Sequence, residues 1–329
     1  MPNRRPARNA LIRVLQLCGL VLLAIIPSMA FATFSIVACD RNGNCGVAVA
    51  TNNLAVGASV PYAQARVGAL VSQFETNPTY GPKGLALLSS GKSPDATLQL
   101  LLDGDGNFDG STIAERQVGI VDARGRSATY SGTEALSSTW AGALHGDGYA
   151  IQGNGLAGEQ VVAAMKQTFL SSTGTLAERL MASLEAGQDA GGQTIGKRSA
   201  ALLVRTTDGA WQDIDLRVDA ATEPVRDLRQ LLDQHYALDA MIRAEHQAQK
   251  GTNDLARASV AQALHLSHGW DRIWRRAARL AMTMGDKDRA RDYLAVFVSL
   301  SPVWGQIELK DDLYAPLHGD ALFESWRKP

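Results

Sequence analysis

Two alternating, β-prone runs, residues 33–40 and 45–51, face each other across Arg41-Asn42-Gly43. No other feature limits the fold as much, because so tight a connection admits only an antiparallel hairpin. A three-residue loop with Gly43 left-handed puts Cys39 directly opposite Cys45. A two-residue Asn-Gly turn instead opposes Cys39 to Gly46 and leaves the thiols diagonal. Both a Cys39–Cys45 disulfide and two free buried thiols are open on this basis. The ring such a bond would close is short, so its entropic benefit is modest.

The rest of the chain extends the pattern. A strand-length apolar run covers 67–74. Residues 84–88 and 96–102 read as helical, with Ser93-Pro94 as N-cap and first helical residue of the second. A hairpin is expected at 116–121 and 127–131 around Gly125, and a short strand at 148–152. Helices follow at 159–170 and 176–186, the second stopping at Gly187. Strands are expected at 199–205 and 212–218, with a helix from about 225. Strand groups separated by helix pairs predict a layered α+β sandwich, not a doubly wound parallel sheet. There is no Gly-x-Gly-x-x-Gly at a strand-to-helix junction and no phosphate loop. No nucleotide cofactor is therefore expected, and none of another kind.

Residues 245–329 contain no convincing strand. The run Ala263-Leu264-His265-Leu266-Ser267-His268-Gly269-Trp270 matches Phe297-Val298-Ser299-Leu300-Ser301-Pro302-Val303-Trp304 at an offset of 34. Trp270, Ile273, Trp274, Ala277, Ala281 and Met284 fall on one helix face, with Gly285 and Asp286 as stop and restart. The period resembles that of tetratricopeptide helix pairs. The expected division is a sandwich over 33–240 and a small all-α, tetratricopeptide-like tail over 245–329.

The first 32 residues read as a leader. Arg4, Arg5, Arg8 and Arg13 precede an almost unbroken apolar run from Leu15 to Ile26. Pro27-Ser28 breaks it, and Ala30-Phe31-Ala32 has the small-x-small form of a cleavage site. The run is short for a membrane span. Cleavage between Ala32 and Thr33 predicts a periplasmic or secreted protein that is not an integral membrane protein. It lowers 32 basic side chains to 28 against 33 acidic ones, a net charge of −5. No basic run suggests nucleic acid.

That cut would make Thr33 the first residue. A free N-terminal threonine carries its own base, an α-amine with a pKa of about 7.7–8.0. The amine accepts the hydroxyl proton near neutral pH and activates the oxygen for acyl transfer. An internal threonine has only an amide nitrogen. Asn154, in Gly153-Asn154-Gly155, is the candidate oxyanion donor, beside its reading as a plain turn residue. Gln73, Asn77 and Ser199 are pocket candidates. Arg116, Arg198, Asp215 and Arg217 read as edge or ion-pair residues. Asp103, Asp105, Asn107 and Asp109 space oxygens at every second residue, a weak calcium pattern, since position twelve from Asp105 is Arg116. His265 and His268 lack a nearby acid or thiol partner in sequence. Arg272, Arg275, Arg276 and Arg279 form a basic stripe, solvated or facing an acidic partner.

Thr33-Phe34-Ser35-Ile36-Val37-Ala38 followed by Gly46-Val47-Ala48-Val49-Ala50-Thr51 resembles the opening of an uncharacterised bacterial family. That family carries a domain of unknown function and is classed as N-terminal nucleophile (Ntn) hydrolase-like. The resemblance continues through Ala55-Val56-Gly57, Thr76-Asn77-Pro78-Thr79-Tyr80-Gly81, Arg116-Gln117-Val118-Gly119-Ile120-Val121-Asp122 and Gln152-Gly153-Asn154-Gly155-Leu156-Ala157-Gly158. Ser199-Ala200-Ala201-Leu202-Leu203-Val204 and Asp215-Leu216-Arg217-Val218-Asp219 complete it, so it spans Thr33 to about His235. It implies a four-layer αββα sandwich and amide hydrolysis. Proteasome-like members add a lysine on a nearby strand; here the expected place holds Arg66, and the first lysine after Thr33 is Lys83.

Two readings result. In one, the protein hydrolyses a C–N amide bond of a small molecule or peptide through Thr33. In the other, it is a non-catalytic periplasmic binding protein that grips a partner with its tail. A homo-oligomer is compatible with either.

Overall fold

The computed structural model describes residues 32–209 and 212–327. Apart from Ala32, the expected leader lies outside the described residues. The hairpin β1 (Thr33–Cys39) and β2 (Cys45–Thr51) comes first. β3 (Pro61–Gln64), β4 (Gly68–Phe74), α1 (Tyr80–Ser89) and α2 (Pro94–Asp103) follow. A second hairpin, β5 (Arg116–Asp122) and β6 (Ser127–Ser131), leads through α3 (Thr133–Leu136) to β7 (Gly142–Gly146) and β8 (Tyr149–Asn154). Then come α4 (Glu159–Ser171), α5 (Leu176–Asp189), β9 (Ser199–Arg205) and β10 (Ile214–Val218). The remainder is helical: α6 (Pro224–Gln249), α7 (Asn253–Leu266), α8 (Asp271–Thr283), α9 (Lys287–Leu300), α10 (Pro302–Glu308) and α11 (Ala321–Arg327).

The strands form two antiparallel sheets. One has the order β10-β9-β2-β1-β8-β7, the other β3-β4-β5-β6. The period of two along each strand assigns its faces. Phe34, Ile36 and Ala38 join Val161, Met165, Leu180 and Leu184 in a core under α4, α5 and the start of α6. Val37, Val47 and Val49 point the other way and meet Ala69, Val71 and Val121 of the smaller sheet. The outer face of that sheet, through Leu70, Val118 and Ile120, is covered by α1 and α2. Helices, sheet, sheet and helices are thus stacked, so β1, β2, β5 and β8 are buried along their whole length.

The first turn takes the three-residue form. Gly43 has φ +85°, Cys39 pairs directly with Cys45, and the two are joined in a disulfide. Asp40 shapes the loop: its Oδ1 accepts the N–H of Asn42 and of Asn44, and its Oδ2 accepts from the Asn44 side chain. A short polar side chain that bonds its own turn in this way is the ordinary reason for aspartate there.

α6 belongs to both regions. Its first half packs Val225, Leu228 and Leu232 on the larger sheet's helix layer, where Arg229 pairs with Glu178 and Glu185 of α5. Its second half packs Ala237, Ala240, Met241 and Ala244 against α7 and α8. The boundary expected at 240–245 falls inside this helix. The 34-residue offset is realised in structure: α9 occupies the residues of α7 shifted by 34, and α8 those of the last half of α6. Buried Ala256, Val260 and Ala263 correspond to buried Ala290, Leu294 and Phe297. The turn glycines Gly251 and Gly285 share a left-handed φ, +74° and +78°. Among the described residues no helix is long and apolar enough to cross a membrane.

Candidate active site

Thr33 opens β1. It lies opposite Thr51 on β2 and Asn154 on β8, and Thr51 lies opposite Ser199 on β9. Residues opposed on antiparallel strands share a face. Four polar side chains therefore form one row across the larger sheet, facing the smaller one. Thr33 is 5% exposed, Thr51 2%, and Asn154 and Ser199 not at all.

The smaller sheet answers with amides. Gln73 of β4 donates from Nε2 to the Thr33 carbonyl (3.3 Å) and to Gln117 Oε1 (2.8 Å), and its Oε1 accepts from Ser35 Oγ (2.6 Å). Gln117 of β5 donates to the Gly153 carbonyl and to Ser131 Oγ. Gln152 of β8 donates to Ser35 Oγ (2.6 Å). Its Oε1 has no hydrogen-bond partner. That oxygen lies over Gly119, where an added Cβ would stand 1.9 Å away, so glycine makes the approach possible. Buried polar groups are tolerated where they bond one another. The space between the sheets is thus polar at the Thr33 end and apolar, with the disulfide, at the other. Gln117 and Gln152 were not among the expected site residues. Their signal is phase: each sits on the inward face of its strand, where its neighbours are Val121 and Ala150.

The surroundings of Thr33 give Asn154 a second contact beside the role expected of it. The Thr33 N–H donates to Asn154 Oδ1 at 3.1 Å, while Asn154 Nδ2 donates to Gln117 Oε1 at 2.8 Å. Asn154 is an acceptor for the Thr33 nitrogen, and one of its two amide hydrogens goes to Gln117. On its other side Thr33 Oγ1 lies 3.1 Å from Thr51 Oγ1. Thr51 Oγ1 donates to the Ala32 carbonyl at 2.7 Å and accepts the Asn53 N–H at 3.3 Å.

Other candidates go elsewhere. Ser199 fastens the neighbouring loop, donating to the Asn53 carbonyl (2.6 Å) and accepting from the Val56 N–H (3.1 Å). Arg66 is not beside Thr33. Its N–H donates to the carbonyl of Gly43, at the opposite end of β1, and its side chain is exposed. Asn77 lies on the helix-covered face of the smaller sheet, where it donates to Asp105 Oδ2 (3.0 Å). The same oxygen accepts from Tyr80 Oη (2.6 Å) and Arg116 Nε (3.0 Å), and Oδ1 accepts from Arg116 Nη2 (3.2 Å). Burial alone would raise the Asp105 carboxyl. Hydrogen bonds from Arg116, Tyr80 and Asn77, with the guanidinium charge, outweigh it and hold the pKa at about 2.

Asp105 therefore turns into the protein to hold buried Arg116 and is not free for a calcium ion, while Asp103 accepts from Gln99. Among the described residues no three His, Cys, Asp or Glu side chains converge as a metal site. Asp215 and Arg217 form exposed pairs with Arg205 and Asp219, and Arg198 donates its N–H to the Thr51 carbonyl (2.8 Å). His268 pairs with Asp233 rather than with His265. Most of the basic stripe is internally neutralised: Arg276 pairs with Glu245, Arg275 with Glu308, and Arg279 with Glu308 and Asp311.

Fold and site together define an α/β protein of two facing antiparallel sheets, with a buried polar seam at the head of its first strand and helical hairpins behind. The chain belongs to a family of unknown function (DUF1028), whose profile matches residues 33–228. It is similar in structure to protein SPO2555 from Silicibacter pomeroyi, assigned to the same family, at 31% identity and a TM-score of 0.55, over 61% of this chain and 84% of that one. No curated protein matches the sequence.

Proposed function

We propose that the protein is an exported Ntn-type amidohydrolase, activated when residues 1–32 are removed, with Thr33 as its nucleophile. The stacking of helices, sheet, sheet and helices is compatible with the αββα sandwich of that class. The observation that carries the reading is the Thr33 nitrogen, held by Asn154 Oδ1 in a seam built from Ser35, Thr51, Gln73, Gln117, Gln152 and Ser199. Among the described residues that seam contains no carboxylate, lysine or histidine. A freed α-amine would be the base at hand, and no lysine partner would be needed.

In this scheme the amine takes the Thr33 hydroxyl proton as Oγ attacks the acyl carbon. The C–N bond then breaks, and the leaving nitrogen recovers the proton. Water hydrolyses the resulting ester by the same route in reverse. No metal or organic cofactor enters. The substrate is a small-molecule or peptide amide. The tail, with tetratricopeptide-like hairpins, is a separate protein-binding surface in the periplasm or outside the cell.

The test starts with the mass and N-terminal sequence of protein recovered from the periplasm, followed by amide turnover. A chain beginning at Thr33 that turns over amides, with activity lost in Thr33→Ala and partly kept in Thr33→Ser, is the expected result. A different N-terminus, or full turnover by correctly processed Thr33→Ala, overturns the proposal.

A further inference from the structure

We propose that the Thr51 hydroxyl holds the carbonyl oxygen of the acyl group while Thr33 attacks it; this rests on the threonine reading above. A hydroxyl has one hydrogen to give. Thr51 gives it to the Ala32 carbonyl at 2.7 Å, because a carbonyl only accepts. The Thr33 hydroxyl is then the donor in its 3.1 Å contact with Thr51. The Asn53 N–H, donating to Thr51 Oγ1 at 3.3 Å, completes the set and polarises the Thr51 O–H toward its acceptor.

The Ala32 carbonyl is not an arbitrary acceptor. Its carbon is bonded to Thr33 N, so it is an acyl carbon held next to Thr33 Oγ1. Thr51 Oγ1 reaches its ground-state oxygen at 2.7 Å, which places the donor on the side where charge would develop as the carbon turns tetrahedral. Cleavage after Ala32 removes this acceptor and leaves the Thr51 hydroxyl, 2% exposed in the uncut chain, with a hydrogen to place. A substrate carbonyl brought to Thr33 Oγ1 enters the same position.

The glutamine amides of the seam spend both hydrogens on protein acceptors, and Asn154 spends one of its two. Asn154 Nδ2 serves Gln117, Gln73 Nε2 serves Thr33 O and Gln117, Gln117 Nε2 serves Gly153 O and Ser131, and Gln152 Nε2 serves Ser35. Ser35 Oγ donates to Gln73. Among them, Thr51 alone is released by the processing that would free the nucleophile.

The experiment uses protein exported and processed from the full precursor, checked by mass to begin at Thr33, and a β-lactone as acylating probe. Attack by Thr33 Oγ opens the ring: the acyl carbon–oxygen bond breaks, the new ester forms, and the alkoxide takes the proton carried by the amine. The whole probe mass is added, and peptide mapping locates it. Wild type should be acylated at Thr33. Thr51→Val should slow the rate on the order of a hundred-fold. Thr51→Ser, which keeps the donor, should stay within a few-fold, which separates loss of the hydroxyl from loss of folding at this position. The midpoint of the pH profile should not move in Thr51→Ser, because Asn154 still holds the amine. Acylation of Thr51→Val at the wild-type rate, or loss in Thr51→Ser equal to that in Thr51→Val, overturns the assignment to Thr51 and leaves the nucleophile standing. No acylation of wild type beginning at Thr33 overturns the nucleophile, and the role of Thr51 with it.

Discussion

Arg116 is among the largest fully buried side chains, and Asp105 is the carboxylate it faces. Its guanidinium also donates to the carbonyls of Glu75, Phe108 and Ser111, so one residue organises a loop that has little apolar material of its own. Removing one partner of such a pair leaves the other buried and uncompensated, at a cost of about 3–5 kcal/mol. Arg116→Met is expected to lose that much unfolding free energy in a urea titration. The pH dependence has a definite sign. Asp105 is depressed in the folded state, to about 2, from about 3.9 unfolded. Its contribution is present above pH 4 and fades as pH falls through 2. Arg116→Met should therefore lose less relative to wild type at pH 2 than at pH 6. At this scale the sequence pointed to Thr33 through the cleavage box before it, to Asn154 through the turn Gly153-Asn154-Gly155, and to Gln73 as a polar residue in an apolar run. It did not expose which atom of Asn154 meets Thr33, because an amide offers both a donor and an acceptor. The sequence also did not say which face Asn77 serves, because a polar residue beside a strand end can serve either; it meets Asp105 on the helix-covered face.

Elements with a strong period were legible, the edge strands β6 and β10 among them, and the edge strands β3 and β7 were not. β1, β2, β4, β5 and β9 alternate or run apolar, and their limits lie within a residue of those expected. β3 and β7 passed unseen because their composition hides the period: Pro61 opens the four-residue β3, and Gly142, His145 and Gly146 interrupt β7. α5 was expected to stop at Gly187 yet runs to Asp189. Gly187 is no cap: a Cβ there would stand 2.7 Å from Met165 Cγ and 3.2 Å from Phe34. Glycine instead lets α5 approach α4 and β1. The hairpin disulfide yields a prediction at this scale. It closes a ring between residues only six apart, worth about 2 kcal/mol by chain entropy. Cys39→Ser with Cys45→Ser should cost about that much in urea. It should leave acylation at Thr33 unchanged, since the bond lies at the far end of β1.

The two-region plan was legible in the whole molecule, and the join was not. The apolar patterns place every strand before about 220 and only helices after it. A helix that changes partners halfway keeps one unbroken amphipathic pattern, so nothing in the sequence of α6 marks the change. This matters for truncation. Ending the chain after Lys250 strips the cover from Ala237, Ala240, Met241 and Ala244, while Val225, Leu228 and Leu232 keep theirs. Hydrogen exchange on such a protein should show protection lost over 237–249 and retained over 224–236. Uniform protection along the helix would mean that its second half needs no tail to stay folded.

The shared register of the hairpins has a consequence for how such a chain changes over generations. One period carries its own turn glycine, its own helix limits and its own inward-facing residues, and nearest-neighbour contacts account for much of its burial. Taken as a repeat, one period is a cassette: duplication would add one, and deletion of 34 residues would remove one. The reach of this arm is then a copy number, free to drift while α6 keeps its first copy fixed to the sandwich.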